Sequence, residues 1–150
     1  MSSDSRCTII PGDIARRTRQ QLQSLGTIRY PTFTIELAIT QEQHYRGLSY
    51  RPFIPVGHGM LFIYSEPQIL TFCMRHCFIS LDIAFIGSDM RIVGLATMLV
   101  ETYGQETLKY SSPVPAQYAL ELNAGELLNC GVLEGDIVVF SGDLQDALMV

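Results

Sequence analysis

The sequence lacks the features of a membrane-spanning, exported or disordered protein. Glu66 and Asp82 interrupt the longest apolar stretches, so none reaches the roughly 18 residues that a transmembrane helix needs. Residues 1–20 show no charged region followed by an apolar core and a small-residue cleavage site. We therefore expect a cytoplasmic protein without an export signal. With 47% hydrophobic and 17% charged residues, the chain has the composition of a globular protein with an ample core.

Basic residues are scarce, and most of the chain is acidic. The net charge is −5, and residues 31–150 carry five basic side chains against thirteen acidic ones. Nucleic-acid binding depends on cationic side chains that neutralise phosphates, so this balance predicts that the protein binds no nucleic acid. Residues 1–30 differ, because they hold five arginines and two aspartates. We interpret this basic segment as the solvated face of a helix.

Paired metal-ligand motifs are also missing. The stretch "FCMRHCFISLDIAFIG" at 72–87 contains Cys73, His76 and Cys77, but successive side chains of a strand alternate between faces. The two cysteines would share one face while His76 points away, and no motif supplies a fourth zinc ligand. We predict no metal site, and we interpret the cysteines as small buried thiols that stay reduced. No glycine-rich stretch has the fingerprint of a phosphate-binding loop, so no cofactor is expected.

Local patterns predict a helix, a strand and a second helix in the first third of the chain. Apolar residues at helical spacing between Pro11 and Gly26 predict an amphipathic helix. The strict alternation of "TFTIELAIT" predicts a half-buried strand. Thr40 followed by Gln43 is the pattern of a capping box, and it predicts a short helix over 41–47 that ends at a glycine.

The rest of the sequence favours short strands. "MLFIY" and "ILTFCM" flank a turn, "LDIAFIG" and "RIVGLAT" form a predicted hairpin, and "YALEL" and "GDIVVF" are strands around a short helix in "AGELLNCG". Many short strands in one chain usually curl to hide their edges. We predict an α+β fold, a small and mostly antiparallel β-barrel or sandwich with two or three short helices. Residues 29–150 would form this single β-rich domain, and residues 1–28 a basic helical extension.

The order and spacing of five blocks carry a resemblance to a known family. The blocks are "RGLSYR" at 46–51, "GMLF" at 59–62, "FCMRHCFISLDIAFI" at 72–86, "SSPVPAQYALELNAG" at 111–125 and "LEGDIVV" at 133–139. From about Thr32 to Phe140 the chain resembles the uncharacterised family called domain of unknown function 192. The resemblance implies a compact β-rich fold with short helices and brings no agreed activity. Where that family has tryptophan, asparagine and threonine, this sequence has Cys73, His76 and Cys77, so a chemistry common to the family cannot need these three.

Five charged residues on the matching blocks form the predicted ligand-binding site: Arg46, Arg51, Arg75, Asp82 and Glu121. Asp82 stands among apolar neighbours, so its carboxylate needs a cation or backbone donors. Arg75 is the first candidate partner and Arg46 the second, because a guanidinium pairs with a carboxylate through two hydrogen bonds. This network would either fasten the nearby turn and helix to the sheet or hold a small anionic ligand.

Two functions of different classes remain open. The first is a non-enzymatic module that binds a small anionic ligand or a protein partner in a cleft near Arg46, Arg75 and Asp82. The second is a small hydrolase-like enzyme that uses Asp82 or Glu121 as an acid or base. Catalysis asks for two or more titratable groups that converge in one pocket, and the sequence offers candidates without showing that they converge. A small molecule that co-purifies with the protein, detected by native mass spectrometry, would favour the binding function.

Overall fold

The computed structural model describes residues 5–23, 30–141 and 144, with the backbone alone in 19–23. The strands in these ranges are β1 (Arg6–Ile10), β2 (Thr32–Ala38), β3 (His58–Gln68), β4 (Thr71–Phe72), β5 (Leu81–Ile86), β6 (Ile92–Met98), β7 (Tyr110–Ser111), β8 (Ala116–Asn123) and β9 (Ile137–Phe140). The helices are α1 (Ile14–Gln23), α2 (Gln41–Arg46) and α3 (Glu126–Asn129). None of the described helices has the length and apolar character that a membrane crossing requires.

Seven strands form one curled sheet in the order β6-β5-β8-β3-β2-β1-β9, and β4 pairs with β7 in a separate ribbon. Neighbouring strands are antiparallel except β2 and β3, which are parallel. The two outer strands meet at one corner. There the backbone N–H of Ile92 donates to the carbonyl of Asp136 at 2.9 Å, and that of Val138 donates to Met90 at 2.8 Å. The curled sheet is a half-barrel whose two edges touch at this corner. This confirms the predicted α+β fold with mostly antiparallel strands.

Two apolar clusters cover the two faces of the sheet. The inner cluster takes side chains from all seven strands and extends to Leu127 of α3. The outer cluster packs Phe62 and Phe85 of the sheet against Leu48 and Met74, which lie in the connections that cross this face. Because both faces of the central strands are covered, a polar side chain on either face is buried among apolar groups unless a cleft reaches it.

The structure confirms the predicted capping box and helix end of α2 and the predicted β5–β6 hairpin. Thr40 Oγ1 accepts a hydrogen bond from Gln43 N at 3.1 Å, and Gln43 Oε1 accepts one from Thr40 N at 2.9 Å, which completes the capping box. The helix ends at Gly47, whose φ of +49° suits a residue without a side chain. Strands β5 and β6 pair in antiparallel register, as the hairpin prediction requires.

Strand β1 is an interior strand of the sheet, where the sequence patterns predict only a helix in this part of the chain. It pairs with β2 on one side and with β9 on the other. Its side chains Cys7 and Ile9 are 0% and 1% exposed in the inner cluster. Helix α1 follows as predicted, yet Ile14 on its expected apolar face is 73% exposed. The division of the chain at residue 28 stays a prediction, and the contacts of β1 argue against it.

A buried aspartate that the sequence analysis missed ties this amino-terminal part to the end of the chain. Asp136 is 2% exposed and precedes β9. Its Oδ1 accepts from the backbone N–H of Gly12 at 3.1 Å, and its Oδ2 accepts from Arg16 at 2.7 Å and from the N–H of Leu133 at 2.9 Å. At least one arginine of the basic segment is therefore bound to the domain rather than free in solvent.

Candidate functional site

The sheet places the two predicted acids on opposite faces. Asp82 on β5 lies opposite Leu122 of β8, and Glu121 lies opposite Ile83. Since successive side chains of a strand alternate, Asp82 faces inward with Leu122, and Glu121 faces outward with Ile83. The five predicted site residues therefore do not form a single site.

Asp82 is 3% exposed, and local donors satisfy its carboxylate. Its Oδ1 accepts a hydrogen bond from Thr97 Oγ1 at 2.8 Å. Its Oδ2 accepts from the backbone N–H groups of Gly125 at 2.9 Å and Leu127 at 3.1 Å. Backbone donors thus take the place of a cation, and Asp82 fastens the start of α3 to β5.

The predicted ion pairs of Asp82 with Arg75 or Arg46 are wrong. The guanidinium of Arg75 lies 4.2 Å above the ring centre of Tyr45, and Arg46 is exposed at the end of α2. Both arginines line a cleft with Glu121 on the outer face of the sheet, whereas Asp82 faces inward. The alternation of strand side chains separates groups that lie close together in the sequence.

We expect Asp82→Asn to lower the free energy of unfolding by about 1–3 kcal/mol, because the amide turns one acceptor into a donor beside other donors. Thr97→Val removes one of the same hydrogen bonds, so the double variant should lose less than the sum of the single losses. Arg75→Met shares no partner with Asp82, and its loss should add to that of Asp82→Asn within about 0.5 kcal/mol. Urea unfolding of the single and double variants measures both couplings. Additivity with Thr97, or coupling with Arg75, would contradict this assignment.

Arg51, the remaining predicted arginine, forms a bidentate ion pair with Glu36 of β2. Its Nη1 donates to Glu36 Oε2, and its Nη2 donates to Oε1 at 2.9 Å. The Arg51 hydrogen bonds lower the pKa of the Glu36 carboxyl. Both side chains are partly exposed, at 34% and 56%, so the pair contributes at most about 1 kcal/mol. Arg51 is engaged in this pair and is not part of the cleft lining.

The cleft lies between α2 and the segment 71–77, above the outer face of β3 and β8, and has a volume of about 320 Å³. Three of the predicted residues line it: Arg46, Arg75 and Glu121. The strands supply its floor, α2 one wall, and the segment 71–77 the other. The other lining residues are Gln41, His44, Tyr45, Gly47, Leu48, Ser49, Phe62, Tyr64, Thr71, Phe72, Cys73 and Cys77.

His44 holds α2 in place beside the floor of the cleft. Its Nε2 lies 2.9 Å from the carbonyl oxygens of both Ala38 and Ile63, so this nitrogen carries the proton and donates to them. The imidazole ring also lies 4.2 Å from the ring of Tyr64, centre to centre. The wall that carries Tyr45 and the arginine at the helix end is therefore fixed to the sheet by a side chain that the sequence analysis left out.

Backbone and hydroxyl hydrogen bonds fix the opposite wall. The N–H of Cys77 donates to the carbonyl of Met74 at 3.0 Å and closes a turn. Ser49 Oγ donates to the carbonyl of Arg75 at 3.2 Å, and the N–H of Tyr50 donates to the carbonyl of His76 at 2.8 Å. The segment after α2 thus binds the turn at 74–77, which sets the distance between the two walls.

Glu121 is the buried acid at the floor of the cleft. It is 4% exposed, and it forms no hydrogen bond or ion pair with any residue that the structure describes. Burial raises the pKa of its carboxyl to about 8, so the group is largely protonated at neutral pH. Burial, with a smaller contribution from Glu121, also raises the pKa of Tyr64 to about 12. At neutral pH the floor therefore presents uncharged O–H groups.

The mouth of the cleft is cationic. Arg75 is half-buried and held over Tyr45, and Arg46 is exposed at the last position of α2. Within the described ranges neither guanidinium forms an ion pair. Since a guanidinium presents five N–H donors and accepts none, the two side chains together can hold an anion.

The cysteine-rich stretch does not assemble a metal or nucleophile site. Cys73 and Cys77 line the cleft, but the ring of His76 packs on those of Tyr50 and Tyr103, with centres 4.9 Å and 5.2 Å away, and is not part of the cleft lining. Burial raises the pKa of the Cys77 thiol to about 11, so this thiol is protonated and a poor nucleophile. Among the described residues no group of three or more histidine, cysteine or acidic side chains is placed to hold a metal ion.

Sequence reasoning missed the aromatic part of the cleft, which consists of Tyr45, Phe62, Tyr64 and Phe72. Tyr45 directly precedes Arg46 in the predicted helix, so its position in the sequence could have indicated a place near the site. The other three come from strands whose outward side chains look like ordinary core residues. Only the close approach of α2 and the segment 71–77 leaves their rings beside an open cleft.

Comparisons with known proteins place the chain among proteins of the same fold. No curated protein matches it. A protein from Sinorhizobium meliloti 1021, named as a candidate transcription regulator, has a crystal structure that is 29% identical over 91% of this chain and 92% of its own, with a TM-score of 0.73. A protein of unknown function from Novosphingobium aromaticivorans DSM 12444 is 28% identical over 89% and 83%, with a TM-score of 0.71. The family model of DUF192, described as an uncharacterized ACR, matches residues 22–140. The half-barrel, the predicted blocks and this match lead to one conclusion: the chain belongs to the DUF192 family.

Proposed function

We propose that this protein binds a small anionic organic ligand in the cleft between α2 and the segment 71–77. The observation that carries the proposal is Glu121, a buried acid without a partner among the described residues, at the floor of a cleft with two arginines at its mouth. Asp82, which the sequence places in the same site, is left out because it faces the inner cluster. The binding group is therefore Arg46, Arg75 and Glu121.

The buried acid supports binding because its position is costly without a partner. A fully buried polar group that makes no hydrogen bond destabilises a fold by about 1–3 kcal/mol, and Glu121, which is 4% exposed at the floor of the cleft, bears part of this cost. Glu121 could be replaced by an apolar residue if it served only to fill the outer cluster, which surrounds it with side chains such as Met60 and Ile83. A ligand atom that accepts a hydrogen bond from the protonated carboxyl offsets that cost.

The charge distribution favours an anion. Residues 31–150 are strongly acidic, with five basic side chains, and two of these five lie at the mouth of this cleft. In such a molecule a local pair of unpaired guanidiniums attracts anions at short range, while the acidic surface repels long polyanions. The expected ligand is therefore small, which agrees with a cleft volume of about 320 Å³, near the lower end of ligand sites in proteins.

The alternative of a hydrolase that uses Asp82 or Glu121 has less support. The two acids lie on opposite faces of the sheet and cannot act on one substrate. Asp82 accepts three hydrogen bonds, from Thr97, Gly125 and Leu127. Because these donors occupy its carboxylate oxygens, Asp82 is poorly placed to take a proton from a substrate. Glu121 by itself has a pKa suited to proton transfer, but no second titratable group forms a hydrogen bond with it among the described residues.

A regulatory role through a protein partner, and a cytoplasmic location, remain part of the proposal. The relative from Sinorhizobium meliloti is named as a candidate regulator. The acidic body disfavours direct contact with nucleic acid, so a ligand-dependent contact with another protein fits such a role better. The four cysteines are free thiols, which suits a reducing compartment.

Titration with benzoate, followed by ¹H–¹⁵N correlation NMR, tests the proposal. Benzoate combines one negative charge with a small ring, and NMR detects binding even in the millimolar range. We expect shifts confined to the amides of 41–49, 71–77 and Glu121. Arg46→Gln should weaken binding about tenfold, because one charge-assisted hydrogen bond is lost. Lys109→Gln is the matched control, since it removes one exposed positive charge away from the cleft, and it should change the affinity less than twofold.

The same titration can refute the proposal. Shifts spread over the whole surface, or equal weakening by Arg46→Gln and Lys109→Gln, would mean that benzoate senses only net charge. The complete absence of saturable shifts would mean that the cleft does not take a small organic anion.

A further inference from the structure

The two polar ends of the cleft do not contact each other. Neither Arg46 nor Arg75 forms an ion pair with Glu121, and burial is the cause of the raised Glu121 pKa. Arg46 is exposed at the mouth, whereas Glu121 is buried at the floor. A ligand that contacts both ends must therefore reach from the mouth to the floor.

Aromatic rings line the path between these ends. Phe62 and Phe72 meet edge to face, with ring centres 5.0 Å apart, and the rings of His44 and Tyr64 lie 4.2 Å apart. All four side chains belong to the cleft lining. Flat aromatic groups pack against such rings with more contact area than branched chains of the same size, so the middle of the ligand is expected to be a flat ring.

The floor can donate a hydrogen bond at neutral pH, because the Glu121 carboxyl is largely protonated there. Besides the two arginines, the titratable side chains that line the cleft with Glu121 are Tyr64 from β3, Cys73 and Cys77 from the segment 71–77, and His44 and Tyr45 from α2. Burial raises the pKa of Tyr64 to about 12 and that of Cys77 to about 11, so both stay protonated. The imidazole Nε2 of His44 already donates to two backbone carbonyls. Glu121 is then a donor at the floor without a partner among the described residues, and its O–H can donate a hydrogen bond to a ligand atom with a free electron pair.

We infer that the cleft selects flat carboxylates that carry a hydrogen-bond acceptor on the side of the ring opposite the carboxylate. The inference rests on the proposed function and specifies its ligand class. The carboxylate binds Arg46 and Arg75 at the mouth, and the ring packs against the exposed sides of Phe62 and Phe72. The acceptor on the far side of the ring accepts a hydrogen bond from the O–H of Glu121. Phosphate lacks the ring, and benzoate lacks the acceptor, so each makes only part of these contacts.

A comparison of two probes, isonicotinate and benzoate, tests the inference at about pH 6, where the Glu121 carboxyl is protonated. Isonicotinate has the size and charge of benzoate but places a ring nitrogen opposite the carboxylate. NMR titration should give isonicotinate an affinity about five times higher than benzoate, the factor for one neutral hydrogen bond. Glu121→Met removes the donor and should make the two affinities equal. Glu121→Gln keeps an N–H donor of the same reach and should retain the preference.

A pH series separates this role of Glu121 from a structural one. In the wild type the preference for isonicotinate should disappear between about pH 6 and pH 9, as Glu121 loses its proton. In Glu121→Gln the preference should stay constant over the same range. Equal affinities for the two probes in the wild type, or a preference that survives in Glu121→Met, would overturn the inference. If benzoate still binds through Arg46 in that case, the proposed function stands and only the ligand class fails; if neither probe binds, both fail.

Discussion

A chain that begins at Arg29 is expected to lose its cooperative unfolding transition. The truncation removes β1, which pairs with both β2 and β9, so β9 loses its partner along Cys7–Ile10. It also removes Gly12 and Arg16, two of the three donors that bind the buried carboxylate of Asp136, and leaves only the N–H of Leu133 among the described donors. An uncompensated buried charge and an interrupted sheet together cost more than the total stability of an ordinary domain, roughly 5–15 kcal/mol.

A matched pair of substitutions in the full chain isolates the contribution of β1. Ile9 is 1% exposed in the inner cluster, and Ile14 of α1 is 73% exposed. Ile9→Ala should lower the free energy of unfolding by about 2–5 kcal/mol, because it leaves a cavity in the core. The same substitution at Ile14 should change it by less than about 0.5 kcal/mol. Circular dichroism during urea unfolding measures both. A truncated chain with a sharp transition, or equal effects at the two isoleucines, would show that β1 is an extension outside the domain.

The sequence predicts best those elements whose signals lie within a few residues. The helix α2 follows from Thr40, Gln43 and Gly47, which cap its two ends through contacts inside the same segment. The β5–β6 hairpin follows from two apolar runs joined by a short turn. In both cases the groups that contact each other are close together in the sequence, so a local sequence pattern is enough to predict the element.

Strand β1 shows why the remainder could not be predicted. Its sequence, "RCTII", is short, and its partners on β9 lie about 130 residues away in the chain. No local pattern encodes which distant strands will flank it. The basic residues on either side favoured a solvated helix, because charge patterning is a local signal and tertiary pairing is not.

The two acids make the same point for the site. In sequence, Asp82 and Glu121 are alike, since each is one carboxylate between apolar residues of a strand. What separates them is the set of groups that other segments bring to each face. Thr97 and the backbone of α3 satisfy Asp82 on the inner face, whereas the cleft leaves Glu121 without a partner among the described residues. The sequence therefore predicts which residues are candidates, and only the packing tells a structural acid from a ligand-binding one.

Replacing Glu121 by glutamine is expected to make the protein more stable at alkaline pH and to leave it nearly unchanged at acid pH. Burial raises the Glu121 pKa from 4.5 to about 8 in the folded chain. Between these values the folded chain keeps a proton that the unfolded chain has released, so stability falls as pH rises through this range. Each unit of pKa difference corresponds to about 1.4 kcal/mol, and partial hydration of the cleft reduces the total. Glu121→Gln does not titrate, so at about pH 9 it should exceed the wild type by roughly 2–4 kcal/mol.

Urea unfolding of the two proteins at about pH 4.5, 7 and 9 gives the difference in stability at each pH, which isolates Glu121 from all other titrating groups. Glu66→Gln is the matched control, because Glu66 is exposed on β3 and the same change there should leave the pH dependence of the wild type intact. Below about pH 7, isonicotinate should stabilise the wild type more than an equal concentration of benzoate does, and this difference should disappear as Glu121 ionises. If Glu121→Gln and the wild type keep a constant stability difference from acid to alkaline pH, then Glu121 has an ordinary pKa. The floor of the cleft would in that case carry a negative charge and repel the anion proposed to bind there.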